Sequence, residues 1–216
     1  SLTINGSLKP LKTPYKKEGL KPGDHLLLSR PLGSGVIFAA SMKGAVNSGD
    51  FDGVLSELAK SQHSIFEFQN DNSLLINACT DVTGFGLLGH LAEMISSSNQ
   101  KRFLQSQSRL NVKLFAESIP AFNGVKNLFR DGYRSTLAES NSSALCLLES
   151  TETAPPLVSI LSKNYKLDVK EHQLIQELII DPQTCGPFLI SCPSNTAEFL
   201  IRNGTWSQIG LVEEMQ

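Results

Sequence analysis

Short apolar runs alternate with amphipathic stretches along nearly all of this 216-residue chain, with glycines and prolines between them. No other feature restricts the fold as much, because a two-residue and a 3.6-residue hydrophobic period belong to different kinds of element. DHLLLSR (24–30), LLINAC (74–79), NVKLFAE (111–117), FLISC (188–192) and TWSQIGLVEE (205–214) read as strands. VIFAASMKG (36–44) predicts a short helix whose first turn sits on Gly33 and Gly35. From 50 to 70, Val54, Leu55, Leu58, Ala59, Ile65 and Phe66 recur at helical spacing, with Asp50 or Asp52 as the cap. From Gly86, the set Leu87, Leu88, Leu91, Ala92 and Ile95 makes one helical face that fades into SSSNQ. AFNGVKNLFRDG (121–132), QLIQELI (173–179) and SNTAEFLIRNG (194–204) complete the helices. Interleaved in this way, the elements call for a mixed sheet covered by helices. YRSTLAESNSSALCLLESTETAPP (133–156) reads mainly as loop, with ALCLL as either a strand or one helical turn.

Composition narrows the function. Hydrophobic residues at 40% and charged residues at 19% describe a globular chain, and no apolar run approaches the ~20 residues of a membrane span. No signal-peptide pattern is present, so the expected compartment is the cytoplasm. A formal charge of −2 offers no general field for nucleic acid. The exception is local: KPLKTPYKKEGLKPGD (9–24) gathers Lys9, Lys12, Lys16, Lys17 and Lys21 among three prolines and reads as a solvated linker. Ahead of it, SLTIN alternates like a strand but cannot stand alone, so it either joins the sheet or ends a domain absent here. Cys79, Cys146, Cys185 and Cys192 form no CxxC pair and are expected as free thiols. His25, His63, His90 and His172 are too scattered for a zinc site.

The stretch TDVTGFGLLGH (80–90) contains GxGxxG at Gly84, Gly86 and Gly89 after a strand candidate. Two observations argue against a dinucleotide turn. TDVT separates the expected strand from Gly84, and no acid stands about 20 residues on to take a ribose hydroxyl. Asp81 at the mouth of the loop would also repel a pyrophosphate unless a cation lay between them. A Mg²⁺ ion removes that conflict, since a carboxylate, phosphate oxygens and waters can share its octahedral shell. The bland reading remains beside it: Asp81 closes a turn and the glycines allow close packing. Read as a metal–phosphate loop, the stretch makes Asp81 the metal ligand and Thr80, Thr83, Gly84 and Gly86 the residues nearest the phosphates.

Three segments together resemble one family. TDVTGFGLLGHLAEM is similar to the signature of selenophosphate synthetase (selenide, water dikinase), DHLLLSRPLGSGVI to its strand–PLGxG–helix, and DPQTCGPFLI to its DPQTSGG loop. They fall in the family's order, and with SQIGLVEE the resemblance covers nearly the whole chain. It implies the aminoimidazole ribonucleotide synthetase superfamily, and for this chain its C-terminal domain: α+β, a three-layer α/β/α sandwich with a mixed sheet. Residues 1–18 would then be the last strand of an absent N-terminal ATP-binding domain plus a linker, and 19–216 the C-terminal domain. The implied reaction turns ATP, selenide and water into selenophosphate, AMP and phosphate, with Mg²⁺ held by Asp81 and by carboxylates of the missing domain. ATP is bound mainly by that domain, so this fragment is expected to be inactive alone and to supply no catalytic residue. The resemblance also implies a homodimer in the parent protein.

The departures are local. Cys185 replaces the family's Ser and Pro187 its second Gly, which deletes an N–H. The family's GGTxRN stretch has no clear counterpart, and DGYRSTLAESN offers Arg134, Ser135 and Asn141 in its place. These differences motivate a second reading, a noncatalytic binding or dimerisation module fused to a pyridine nucleotide–disulfide oxidoreductase-like domain. A third keeps the superfamily but changes the substrate, giving an amidine-forming enzyme or a small-molecule kinase. Arg30 reads as facing an anion beside the PLGSG helix start or as an exposed strand-end charge. Cys185 reads as a redox or selenide-handling thiol or as a plain serine replacement. His90 is placed to hydrogen-bond across the first turn of its helix, and Phe85 and Met94 read as core.

Overall fold

The computed structural model describes residues 14–63, 74–152, 154–162 and 168–215. The expected strand at 1–5 and the Ile65–Phe66 end of the second helix lie outside the described residues. The elements in chain order are β1 (His25–Leu28), α1 (Ser34–Ser41), α2 (Ser48–Leu58), β2 (Ala78–Asp81), α3 (Gly86–Leu104), β3 (Leu110–Phe115), α4 (Val125–Arg130), α5 (Ala138–Asn141), β4 (Val158–Leu161), α6 (Val169–Ile180), β5 (Phe188–Cys192), α7 (Ser194–Asn203) and β6 (Ser207–Glu214). Short 3₁₀ turns follow β3 and α5.

The strands form one mixed sheet in the order β2-β5-β1-β6-β3-β4. Only β3 and β4 pair in parallel; the other neighbours are antiparallel, so β1 to β4 share one direction and β5 and β6 run against them. The order slips between Leu26 and Leu27 opposite β6, where Ile209 is the extra residue of a bulge. Beside it, Gly210 is required by crowding, since a Cβ there would meet the Lys113 carbonyl at 2.3 Å.

The sheet separates two cores of unequal size. Leu26, Leu28, Val112, Leu114 and Leu189 face the larger one, closed by Leu87, Leu91 and Met94 of α3 and Ile175 and Ile179 of α6. Leu27, Cys79, Ile190 and Cys192 face the smaller one, closed by Ala197 and Leu200 of α7 and by Trp206. Helices on both faces make the expected α+β sandwich.

Several boundaries differ from the sequence expectation. α3 does not fade at SSSNQ but runs on to Leu104, because its polar residues find partners inside the protein. Ser98 Oγ accepts from Gly19 N and Leu20 N, and the Asn99 side chain pairs with both backbone groups of Leu110. Neither Asp50 nor Asp52 caps α2; Asn47 does, accepting from Asp50 N at 2.8 Å. β2 begins four residues late and extends through Asp81, since its register is set by β5 and not by its own apolar run. ALCLL is a 3₁₀ turn within Ser142–Leu148. The edge strand β4, in PLVSIL, has no counterpart among the expected strands. Residues 14–17 are exposed and Glu18 half-buried, but the segment is tethered: Lys16 O accepts from Cys79 N, Lys17 pairs with Glu93, and Glu18 with Lys16 and Lys101.

Candidate functional site

Because β1 and β2 point one way and β5 the other, the loops after β1 and β2 and the loop before β5 meet at one edge of the sheet. These are PLGSG (31–35), DVTGFG (81–86) and DPQTCGP (181–187). Ligands of α/β sheets gather outside such strand ends.

DPQTCGP holds the other two loops. Gln183 Oε1 accepts from Gly33 N (3.0 Å), Ser34 N (3.2 Å) and Ser34 Oγ (3.1 Å). Asp181 Oδ2 accepts from Val36 N at 3.2 Å, so the start of α1 is closed from within. Toward the second loop, Gln183 N donates to Thr83 O and Val82 N to Pro187 O. Gly186 sits so close to the Val82 carbonyl that a Cβ would lie 1.9 Å from it. From the far side, Asn141 Nδ2 donates to Gly84 O and Ile180 O, both at 2.9 Å, and latches the glycine loop to the end of α6.

The three glycines have different work. Gly86 has φ of 68° and faces the Ile180 carbonyl group, 2.8 Å from where a Cβ would be. A Cβ at Gly89 would lie 2.7 Å from that of Phe85, whereas one at Gly84 would meet nothing within 4 Å. Close packing therefore explains Gly86 and Gly89 and leaves Gly84 open. The topology also excludes a dinucleotide fold. Only Val82 and Thr83 stand between the observed strand and Gly84, but β2 is an edge strand and the next strand, β3, lies four places away across the sheet.

Asp81 is the last residue of β2, opposite Phe188 and on the face that carries Cys79 two residues earlier. It is exposed, and its carboxylate makes no hydrogen bond or ion pair among the described residues. Its charge is felt at Cys79 and at His90. Burial first, then Asp81, pushes the Cys79 thiol up to about 12; burial and Asp24 do the same for Cys192, so neither is a nucleophile. Thr80 is buried in the strand and bonds to Asp81 O, while Thr83 is half-buried with Oγ1 3.2 Å from His90 Nε2. The bond expected across the first turn of α3 thus reaches Thr83. His90 also has a carboxylate neighbour, Glu93, missed in the sequence although it stands one helical turn on.

Two further expectations need correction. Arg30 is neither a strand-end surface charge nor directed at the start of α1. It is 4% exposed, with its guanidinium on the carbonyls of Cys185 (2.8 Å) and Lys60 (3.0 Å). Phe85 is not core but 62% exposed, with its ring tilted over His90 at 5.7 Å; Met94 is fully buried as expected. Arg134 pairs with Glu177 at 2.5 Å, stacks on Phe129 and lines the groove beside α6.

Two cavities flank this edge. A cleft of about 400 Å³ is lined by Arg30, Lys60, Gln62, His63, Cys185 and Phe188, next to the register partner of Asp81. A larger groove of about 1250 Å³ runs between α6 and the segment 129–145, and it lies behind the Asn141 latch without reaching Asp81. Among the described residues no three His, Cys, Asp or Glu side chains cluster as metal ligands, so any cation at Asp81 needs donors from elsewhere.

The family described as "AIR synthase related protein, C-terminal domain" matches residues 21–214. The chain belongs to that family. Its sequence is similar to selenide, water dikinases: 32% identity to that of Caldanaerobacter subterraneus subsp. tengcongensis and 28% to that of Clostridium botulinum, each over 93% of this chain and 50% of the relative. The chain thus spans about half the length of the curated relatives it matches. Similar folds occur in hydrogenase maturation protein HypE of E. coli (TM-score 0.56, 14% identity, 94% of this chain and 47% of that one) and in thiamine-monophosphate kinase of Stenotrophomonas maltophilia (TM-score 0.53, 13%, 94% and 51%). At those identities the likeness concerns the fold alone.

Proposed function

We propose that this chain is the C-terminal domain of an ATP- and Mg²⁺-dependent enzyme of the selenide, water dikinase type. In this reading residues 19–216 form the domain, and 1–18 are the last strand of a preceding ATP-binding domain plus the linker. The observation that carries the reading is Asp81: an exposed carboxylate at a strand end with no hydrogen bond or ion pair among the described residues, on the loop that most resembles those enzymes.

Its surroundings fit a cation ligand. An exposed carboxylate with no hydrogen bond or ion pair among the described residues is free to bind one, and the lack of companion ligands among those residues accords with a site completed by another domain. When bound, Mg²⁺ would neutralise charge on the phosphates being transferred. The part of this chain is to hold Asp81 rigidly, which the Gln183, Pro187 and Asn141 contacts do, and to wall the site on one side. The substrates in this reading are ATP and selenide, the compartment is the cytoplasm, and the parent is a homodimer.

The module alternative keeps two of its motives, the N–H that Pro187 lacks and the absent GGTxRN, while the backbone carbonyls of the DPQTCGP loop hold their contacts. Cys185 and Pro187 serve through their backbone carbonyls, to Arg30 and Val82, and a carbonyl survives a change of side chain. The side chains that cap α1 are Asp181 and Gln183, both of which match the family's wording.

Asp81→Ala in the intact polypeptide tests the reading. At saturating Mg²⁺, with ATP and selenide, the rate of AMP formation should fall by about 10²-fold or more. Unfolding should be unchanged, because the carboxylate makes no internal contact to lose. Undiminished AMP formation would refute the role.

A further inference from the structure

A chain of polar groups runs from the lysine-rich entry segment to the glycine loop. Lys17 Nζ lies 2.6 Å from Glu93 Oε2, that oxygen 3.3 Å from His90 Nδ1, and His90 Nε2 3.2 Å from Thr83 Oγ1. His90 is 4% exposed, and its ring is shut in by Phe85. Nδ1 has no other partner, and its approach to Glu93 is off the line of a well-formed bond. Catalytic contacts are often poorly aligned before a ligand is bound.

We propose that the Glu93–His90 pair sets the direction of the Thr83 hydroxyl, so that its oxygen faces the mouth of the loop as an acceptor. This rests on the reading above, in which Asp81 meets a hydrated cation, and it gives Thr83 a place in that ion's water shell and not on a phosphate.

Protonation states determine the direction. Burial, the largest influence, pulls the His90 pKa down against Glu93 and Asp81, with Lys17 acting in the same sense as burial. The hydrogen bond from Lys17 is the largest influence on Glu93 and holds it below its ordinary range. At neutral pH the pair is therefore a neutral imidazole beside an ionised carboxylate. A neutral imidazole has one N–H and a carboxylate can only accept, so the proton belongs on Nδ1. Nε2 is then a bare lone pair, and the hydrogen between it and Thr83 must come from the hydroxyl. Having donated inward, Thr83 has only lone pairs left for solvent. Such an oxygen attracts a water bound to a cation and repels a phosphate oxygen. Glu93 and Thr83 act here as positioning residues, like the outer partners that orient groups around metal ions.

Two experiments test this. Long-range ¹H–¹⁵N NMR on the labelled chain reports which ring nitrogen of each histidine carries the proton, and His90→Gln assigns the signal. At pH 7.5 the Nδ1–H tautomer is expected, and Glu93→Leu, at a half-exposed site, should move the population toward Nε2–H. A wild-type His90 that is charged, or protonated on Nε2, would overturn the proposal. This measurement needs neither ATP nor metal, so it stands whatever becomes of the function proposed above.

In the intact polypeptide, Thr83→Val and Glu93→Leu should each raise the Mg²⁺ concentration for half-maximal ATP turnover by about tenfold with kcat little changed. The double variant should be no worse than Thr83→Val, and Thr83→Ser should recover the wild-type requirement. Additive effects in the double variant would overturn the proposal. Wild-type protein that leaves ATP untouched would refute the parent reading, and the tautomer result would then decide this one.

Discussion

Asp81 and Asp181 carry the same side chain into opposite surroundings. Asp81 is exposed, with no side-chain partner among the described residues, whereas Asp181 is 1% exposed at the start of α1. Burial pushes the Asp181 carboxyl up to about 7, and the hydrogen bonds from Val36 and Gln183 only partly offset it. Its folded pKa is above that of the unfolded chain, so the folded state binds the extra proton between about pH 4 and pH 7. Its contribution to stability is complete at the acid end of that range and declines as pH rises to 7, by on the order of 3 kcal/mol. The buried His90 works in the opposite sense, since its depressed pKa adds stability as pH rises toward 6.5. Asp181→Asn retains an acceptor for Val36 N and removes the titration. Urea midpoints measured from pH 4.5 to 7.5 should fall less steeply in this variant than in the wild type. The glycines differ just as sharply from one another. Gly86→Ala meets both a left-handed φ and the Ile180 carbonyl and should cost about 2–4 kcal/mol, while Gly84→Ala should stay within about 0.5 kcal/mol in the same denaturation assay.

At the scale of the element, α3 shows how tertiary contact extends a helix beyond its sequence pattern. Its apolar face ends near Ile95, and Ser98 and Asn99 are poor helix formers. Asn99 nevertheless pairs with Leu110 N at 2.7 Å and Leu110 O at 3.0 Å, joining the helix to the first residue of β3. Asn99→Ala would leave a buried N–H and C=O unpaired and should destabilise the chain by about 2–3 kcal/mol, read as a lowered urea midpoint at unchanged slope. The elements most legible in the sequence are those whose own periodicity matches their burial: β1, β5, β6 and the first half of α3. The least legible are β2 and β4, edge strands whose limits depend on the neighbouring strand, and the 3₁₀ turn at Ser142–Leu148. Buried Arg30 and exposed Phe85 are illegible for a related reason, since chemical type does not say which side of a loop will be covered.

For the whole molecule, the sheet order is what turns three separated motifs into one edge. Antiparallel β5 carries DPQTCGP back to the end where β1 and β2 finish, and from there Gln183 reaches both other loops. Among the described residues no three His, Cys, Asp or Glu side chains cluster as metal ligands, and phosphoryl transfer needs several charges placed together. If the proposed function holds, the 216-residue chain by itself should show no ATP turnover above background, while a longer polypeptide that includes the proposed ATP-binding domain should turn over under the same conditions. Comparable activity in the two would mean that this domain holds a complete site.

Hydrophobic periodicity by itself determined most of the helices and strands and a mixed sheet covered by helices, but not α5, β4 or the 3₁₀ turn at Ser142–Leu148, because that signal is local and is carried by consecutive residues. The wording of the glycine loop likewise singled out Asp81 and set aside a dinucleotide turn. Which strands are neighbours, which loops meet, and whether a polar side chain caps a helix or faces water were decided only by the tertiary structure. The reason is physical: those outcomes depend on groups more than a hundred residues apart, such as Gln183 against Gly33, whose desolvation and hydrogen bonding are shared across the fold and leave no trace in either segment alone.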